Sequence, residues 1–203
     1  MKRLLVTSTV AGEGKTFLAI NLALVFAELG EKVLLIDGDM RRPRLHKLFD
    51  LSPEKGLSTF LAHAKDCGAI GGLVRDTDNP GLKVLPCGPL PANPMELLNS
   101  PHLKTLLLWA KEGYDRVIID GTPLLPISDA LLWGREADAA VFVVKFGGVN
   151  AHMARKVCRT LREASLTIVG AVINQVAVRD GYYGYYYSQY KYRSPEVGGH
   201  EKS

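Results

Sequence analysis

Short apolar runs alternate with longer stretches of helical period along most of the chain. Residues 3–6, 32–36, 82–85, 114–119, 139–145 and 166–173 read as strands, being rich in Val, Ile and Leu with few polar interruptions. Residues 17–29, 44–49, 57–64, 95–99, 101–111 and 151–164 carry helical patterns, and Ser128-Asp129-Ala130 reads as a further helix start. Continuous apolar strands separated by helices predict an α/β fold with a mostly parallel sheet covered by helices on both faces. Residues 65–81 show no clear period, and four prolines between 86 and 94 impose an extended path.

Beyond Val178 the pattern stops. Tyr182, Tyr183, Tyr185, Tyr186, Tyr187, Tyr190 and Tyr192 crowd together, and no Leu, Ile or Phe accompanies them. Such a run cannot build a packed core, so the chain divides into a domain over 1–178 and a flexible tyrosine-rich tail over 179–203. Aromatic stacking on nucleic acid is a poor reading of this tail. It carries four Lys or Arg against three Asp or Glu, which is no basic groove, so no nucleic acid is expected as a partner.

Composition narrows the setting. A chain of 203 residues with 47% hydrophobic and 23% charged residues is an ordinary globular protein, and its net charge of +4 does not argue for a polyanion. Cys67, Cys87 and Cys158 are odd in number and widely spaced, which suits a reducing cytoplasm. No apolar run approaches the roughly 18 residues that would span a bilayer. Any membrane association therefore requires a partner.

The candidate chemistry gathers where the first strand meets the first helix, at Ser8-Thr9-Val10-Ala11-Gly12-Glu13-Gly14-Lys15-Thr16. This is a variant of the phosphate-binding loop, with Thr9 where the strict pattern has glycine. Backbone N–H groups in such a loop turn inward around phosphates, and the helix N-terminus adds partial positive charge. Lys15 is expected to reach the β- and γ-phosphates and the Thr16 hydroxyl to bind Mg²⁺. A dinucleotide fingerprint is excluded, because Phe17 stands where a third small residue is needed. The second strand ends in Asp37-Gly38-Asp39, and period two puts both carboxylates on one side. The strand over 114–119 ends in Asp120, a third carboxylate of the kind that holds Mg²⁺ in phosphate-loop NTPases. Asn174 follows the last strand and reads either as a nucleobase contact or as an ordinary turn residue.

These motifs resemble those of the bacterial tyrosine kinases (BY-kinases) of capsule and exopolysaccharide systems. The likeness rests on the variant loop, on residues 34–43 (LeuLeuIleAspGlyAspMetArgArgPro), and on residues 86–98 around the prolines. It rests also on the strand ending in Asp120 with ProLeuLeuProIleSerAsp after it, and on the tyrosine cluster. It implies an ATP- and Mg²⁺-dependent protein tyrosine autokinase that phosphorylates its tail between subunits of a ring, regulating polysaccharide polymerisation or export. It also implies a transmembrane activator of the chain-length-regulator type, a protein tyrosine phosphatase, and a cytoplasmic location at the inner membrane face. Members often carry a Glu/Arg-rich helix before the first strand, where this chain starts on the strand itself.

Under this resemblance Ala11, Gly12, Glu13, Gly14, Lys15, Thr16, Phe17 and Asn174 are the nucleotide contacts. Thr16, Asp39 and Asp120 are the Mg²⁺ ligands, and Asp37 is the candidate base, with its role and that of Asp39 exchangeable. The seven tail tyrosines are the acceptors. Arg41 and Arg42 read as phosphate or subunit contacts, or as solvated surface. The alternative is an ATPase switch of the partition or division-site type, although Val10 occupies the place of the signature lysine of those proteins. A phosphate-accepting scaffold with little activity of its own is a third reading.

Overall fold

The computed structural model describes residues 1–63, 68–125 and 129–176. The tyrosine cluster, Ser128 and Cys67 lie outside the described residues. In chain order the elements are β1 (Arg3–Ser8), α1 (Lys15–Glu28), β2 (Val33–Asp37), α2 (Leu45–Leu48), α3 (Leu57–His63) and α4 (Gly68–Gly71). There follow β3 (Arg75–Asp76), β4 (Leu82–Leu85), α5 (Pro94–Leu98), α6 (Pro101–Gly113) and β5 (Arg116–Pro123). The chain continues through α7 (Asp129–Glu136), β6 (Ala139–Lys145), α8 (Ala151–Glu163) and β7 (Ile168–Asn174).

The strands form one sheet in the order β3-β4-β2-β5-β1-β6-β7. All neighbouring pairs are parallel except β3 with β4. The period-two alternation sorts the strand residues between two cores. Leu4, Val6, Val33, Leu35, Val84 and Ile118 face one side, where the Ala19, Ala23 and Ala27 stripe of α1 lies against them. Alanines four apart let that helix approach the sheet closely. Leu5, Leu34, Ile36, Val117, Ile119 and Phe142 face the other side, under residues of α3 to α8 that include Leu106, Trp133 and Leu161. Helices therefore cover both faces, as the strand pattern predicts.

Two strands run past their apolar stretches. β1 continues through Thr7 and Ser8, both fully buried, because the Thr7 hydroxyl donates to the Thr122 carbonyl at 2.8 Å and Ser8 to that of Val10 at 2.8 Å. β5 likewise continues beyond Asp120 to Pro123, paired with Ser8. Polar strand residues satisfied in this way carry no apolar signature. In the region without period, β3 is a two-residue antiparallel edge strand, too short to show one.

The proline-rich segment is stitched to the start of α3. Leu57 and Ser58 N–H groups donate to the carbonyls of Pro86 and Cys87, both at 2.8 Å, and the Ser58 hydroxyl donates to that of Pro89 at 2.6 Å. Gly56 makes this approach possible, since a Cβ there would collide with the Pro86 oxygen and lie 2.6 Å from the Gly88 nitrogen. Those neighbours are backbone and cannot step aside. Gly56→Ala is expected to lower stability to urea by about 1–3 kcal/mol. Gly113→Ala, where an added Cβ meets nothing within 4 Å, is the control and should stay within about 0.5 kcal/mol of the parent. Equal midpoints for the two variants would show that the stitch is not tight.

Candidate active site at the phosphate-binding loop

The loop between β1 and α1 is held from three directions. Gly14 closes it with a φ of 98°, a left-handed conformation suited to glycine, and a Cβ there would collide with the Asn174 side-chain nitrogen. Gly12 also has a positive φ, 85°. The Glu13 carboxylate is buried and accepts from the N–H groups of Val10 (2.9 Å) and Lys145 (3.2 Å), tying the loop to itself and to the end of β6. Asn174, at the end of β7, donates its amide to the Glu13 carbonyl at 2.9 Å, and Gln175 donates to the Gly12 carbonyl at 3.0 Å. Thr9 is fully buried and has no positive φ, so its backbone does not require the glycine of the strict pattern. Gly14 supplies no side-chain cap to α1. The N-terminal N–H groups of that helix are thereby left for an anion.

Lys15 is buried at 7% exposure, and Asp120, Asp39 and Glu13 act on it electrostatically. Burial nevertheless lowers its pKa from the ordinary lysine value, by disfavouring the charged ammonium. Phe17 leaves its ring exposed on the solvent side of the same helical turn. The parallel register sets Asp37 of β2 directly beside Asp120 of β5. The Gly38 N–H donates to the Asp120 carbonyl at 2.9 Å, extending that pairing by one residue. Asp39 lies past the strand end, so a turn rather than the pleat places it. Its Oδ1 accepts from the N–H groups of Arg41 (3.2 Å) and Arg42 (3.0 Å).

Asp37 and Asp120 are both buried, and desolvation pushes each carboxyl up to about 7. For Asp37 the charge of Asp120 adds to this, while N–H donation from Leu45 and Arg44 opposes it. For Asp120 the Thr16 side chain and the Lys15 charge oppose the rise. Asp37 Oδ2 receives those two N–H groups at 2.9 and 3.1 Å. Asp37 Oδ1 and Asp120 Oδ1 are buried without a hydrogen-bond partner among the described residues. Unpartnered hard oxygens beside a hydroxyl fit Mg²⁺. Among the described residues, no three His, Cys, Asp or Glu side chains converge closely enough to hold a metal by themselves.

The structure brings together the loop, Lys15, Thr16, the three aspartates and Asn174. The expected acceptor tyrosines lie outside the described residues. Arg41 is exposed at the surface and also has a partner that the sequence does not signal. It forms a two-pronged ion pair with Asp129 of α7 at 2.7 and 3.1 Å, and Asp129 is 1% exposed. Trp133, also on α7, donates its ring N–H to the Gly38 carbonyl at 3.1 Å. Sequence reasoning misses Gln175, Asp129, Trp133 and the side-chain work of Glu13. The Ser-Asp helix start signals a cap at 129 but not its partner 88 residues away.

The buried pair carries a stability consequence. Both carboxyls hold protons in the folded state that the unfolded chain, with an ordinary value of 3.8, has already released between about pH 4 and 7. Stability of the protein free of metal and nucleotide should therefore fall as pH rises through that window. Asp120→Asn removes one charge of the pair and should stabilise the free protein at pH 8 by roughly 1–3 kcal/mol, with a smaller effect at pH 5. Urea unfolding at both pH values measures this. A variant no more stable than the parent at pH 8 would refute the buried repulsion.

Comparison with known proteins agrees with this geometry. Residues 4–188 match the family described as the CobQ/CobB/MinD/ParA nucleotide binding domain. The tyrosine-protein kinase YwqD of Bacillus subtilis (strain 168) is 38% identical over 187 residues, covering 92% of this chain and 78% of that protein. The tyrosine-protein kinase etk of Escherichia coli (strain K12) is 38% identical over 176 residues, covering 87% of this chain but 24% of that longer protein. The solved kinase domain of Escherichia coli ETK superposes with a TM-score of 0.78 at 36% identity, over 86% of this chain and 69% of that one. With the loop, the buried lysine and the paired strand-end aspartates in place, the chain belongs to the CobQ/CobB/MinD/ParA nucleotide-binding family and, within it, to the bacterial tyrosine-protein kinases.

Proposed function

We propose that this chain transfers the γ-phosphoryl group of Mg·ATP to tyrosines of the 182–192 cluster, between neighbouring subunits, and so regulates capsule or exopolysaccharide assembly. One observation carries the reading. A buried lysine at a phosphate-binding loop stands in the field of Asp120, Asp39 and Glu13, and the paired Asp37 and Asp120 each keep a buried oxygen without a partner among the described residues. Burial makes each of those oxygens costly unless substrate or cation meets it.

In this reading Lys15 and the N–H groups of residues 11–16 bind the phosphates, with the loop braced by Glu13, Asn174 and Gln175. The Asn174 amide nitrogen is engaged with the loop, so its oxygen is the atom that remains for a base edge. Thr16 and Asp39, and Asp120 through water, would hold Mg²⁺, which would supply positive charge against the phosphates and lower the barrier to in-line transfer. The tyrosine oxygen bonds to the γ-phosphorus as the bond to the β-phosphate oxygen breaks, leaving ADP. Asp37 takes the phenolic proton. Its Oδ1 is free while Oδ2 is fixed by two N–H groups, and its raised pKa suits proton acceptance near neutral pH. Asp39, whose Oδ1 likewise accepts two N–H groups and whose other oxygen is left, is the alternative base, with the two roles exchangeable.

As the family resemblance implies, the kinase is assigned to polysaccharide systems, with a transmembrane activator, an opposing tyrosine phosphatase and ring neighbours as partners. Among the described residues no helix is long and apolar enough to cross a membrane. Recruitment to the inner membrane face is assigned to the activator that the family resemblance implies. Lys15→Met should reduce phosphate transfer at least about a hundredfold, since it deletes a desolvated charge aimed at the phosphates, while circular dichroism stays unchanged. Intact mass after incubation with Mg·ATP is the measurement. Phosphate gained on residues 182–192 by the parent protein, and lost in the variant, supports the kinase. ADP release by the parent with no gain in mass would replace it with an ATPase switch.

A further inference from the structure

Beside the active site lies a cavity of about 890 Å³ between α2 and the turn over residues 86–90. Arg42, Arg44 and Lys47 line it on one side, and Leu48, Pro53 and Leu90 give it apolar wall. Glu54 is the one carboxylate among its lining residues. The ion pairs among the described residues are Arg3–Asp138, Arg41–Asp129, Lys83–Asp76 and Arg116–Glu31. Arg41 is thus committed to Asp129, whereas Arg42, Arg44 and Lys47 have no carboxylate within ion-pair distance among those residues. Three cations without an ion-pair partner among the described residues, against one carboxylate, give the concavity a positive balance that suits an anion.

The cavity adjoins the reacting centre through covalent and hydrogen-bonded neighbours. Arg44 N–H donates to Asp37 at 3.1 Å, and Arg42 N–H donates to Asp39 at 3.0 Å. The positive charge of Arg44 also acts on Lys15 and Asp120. The opposite wall is pre-formed, because the bonds from Leu57 and Ser58 to Pro86, Cys87 and Pro89 fix the turn. The phosphate-binding loop lies outside the cavity lining, so nucleotide phosphates and a second anion can be held at once.

Building on the kinase reading, we propose that this cavity is a phosphotyrosine subsite, which holds an already phosphorylated tyrosine of a second copy's 182–192 cluster while a nearby tyrosine enters the active site. A cavity with both cationic and apolar walls suits an aromatic ring that ends in a dianion. Its volume is within the usual range for ligand sites, roughly 300–1,000 Å³. Discrimination follows from charge. The 179–203 segment has four Lys or Arg and three Asp or Glu, a formal charge of +1, which these cations do not attract. One phosphate adds about −1.5 to −2 charges at a single residue and reverses that sign. The seven closely spaced tyrosines then give each new phosphate an unmodified neighbour to present. Later phosphates are added faster than the first.

The test measures binding and needs no catalysis. The full chain, treated with phosphatase, is titrated with a synthetic peptide of residues 179–194 carrying one phosphate on Tyr187 or none. The phosphopeptide should bind at least about tenfold tighter, as expected for charge-assisted recognition. Lys47→Gln should reduce that preference and leave affinity for a non-hydrolysable ATP analogue unchanged. Phenyl phosphate should displace the phosphopeptide at lower concentration than inorganic phosphate does. Equal binding of the two peptides, or a preference undiminished by Lys47→Gln, would overturn the subsite. So would displacement by the ATP analogue, which would put the phosphotyrosine in the nucleotide loop, or equal displacement by the two phosphates, which would leave a simple anion site. Absence of any phosphate gain by the parent protein in Mg·ATP would sink the kinase reading alone, because the peptide comparison does not depend on turnover.

Discussion

Two carboxylates held side by side away from water are the constraint on which the site depends. The parallel pairing of β2 with β5 sets Asp37 opposite Asp120, and burial denies both the solvation that would let them ionise freely. Lys15 offsets part of this charge but is itself desolvated. The free protein thus carries an electrostatic cost that a bound cation and phosphates would relieve. A fold selected for stability alone would place apolar residues at these strand ends, as it does at Ile36 and Ile119 one position earlier. The protein is weakest where it is to be completed by its substrate.

Holding such a cluster requires a rigid frame, and the sheet supplies it from both sides of β1. β2 and β5 fix the aspartates, while the far ends of β6 and β7 reach back to the loop through Lys145 N–H, Asn174 and Gln175. Glu13 links these two contributions, since its carboxylate receives the N–H groups of Val10 and Lys145 and its carbonyl receives Asn174. The loop is therefore shaped before any phosphate arrives. Pre-shaping matters because donors aimed in advance require no reorganisation when charge develops.

The same division between local and distant causes explains what the sequence reveals. Strand and helix order is legible because it depends on the period of apolar residues, which each segment carries itself. The placement of Lys15, Thr16 and Asp120 is legible because glycine turns and strand ends are local events. Asp39 is only half legible. Period two puts it beside Asp37, but the strand stops at Asp37 and a turn takes over. Glu13, Gln175 and Asp129 are opaque for a different reason. Each acts through a partner far along the chain, and nothing in its own neighbourhood marks that partner. Thr9 shows the opposite error of motifs, since the pattern asks for glycine at a position whose φ does not need one.

The basic stretch from Arg41 to Lys47 draws these points together. In the sequence Arg41, Arg42 and Arg44 look equivalent, three guanidinium groups within four positions. In the fold they diverge. Arg41 is consumed by a buried carboxylate and anchors α7, so removing it would leave Asp129 charged and unpaired. Arg42 and Arg44 lend only their N–H groups to Asp39 and Asp37, and their charges remain free over the cavity. The backbone of this stretch thus orients the carboxylates while its side chains present positive charge to the approach beside them. Aspartates and arginines form one rigid unit, because the bonds that aim the aspartates also place the arginines.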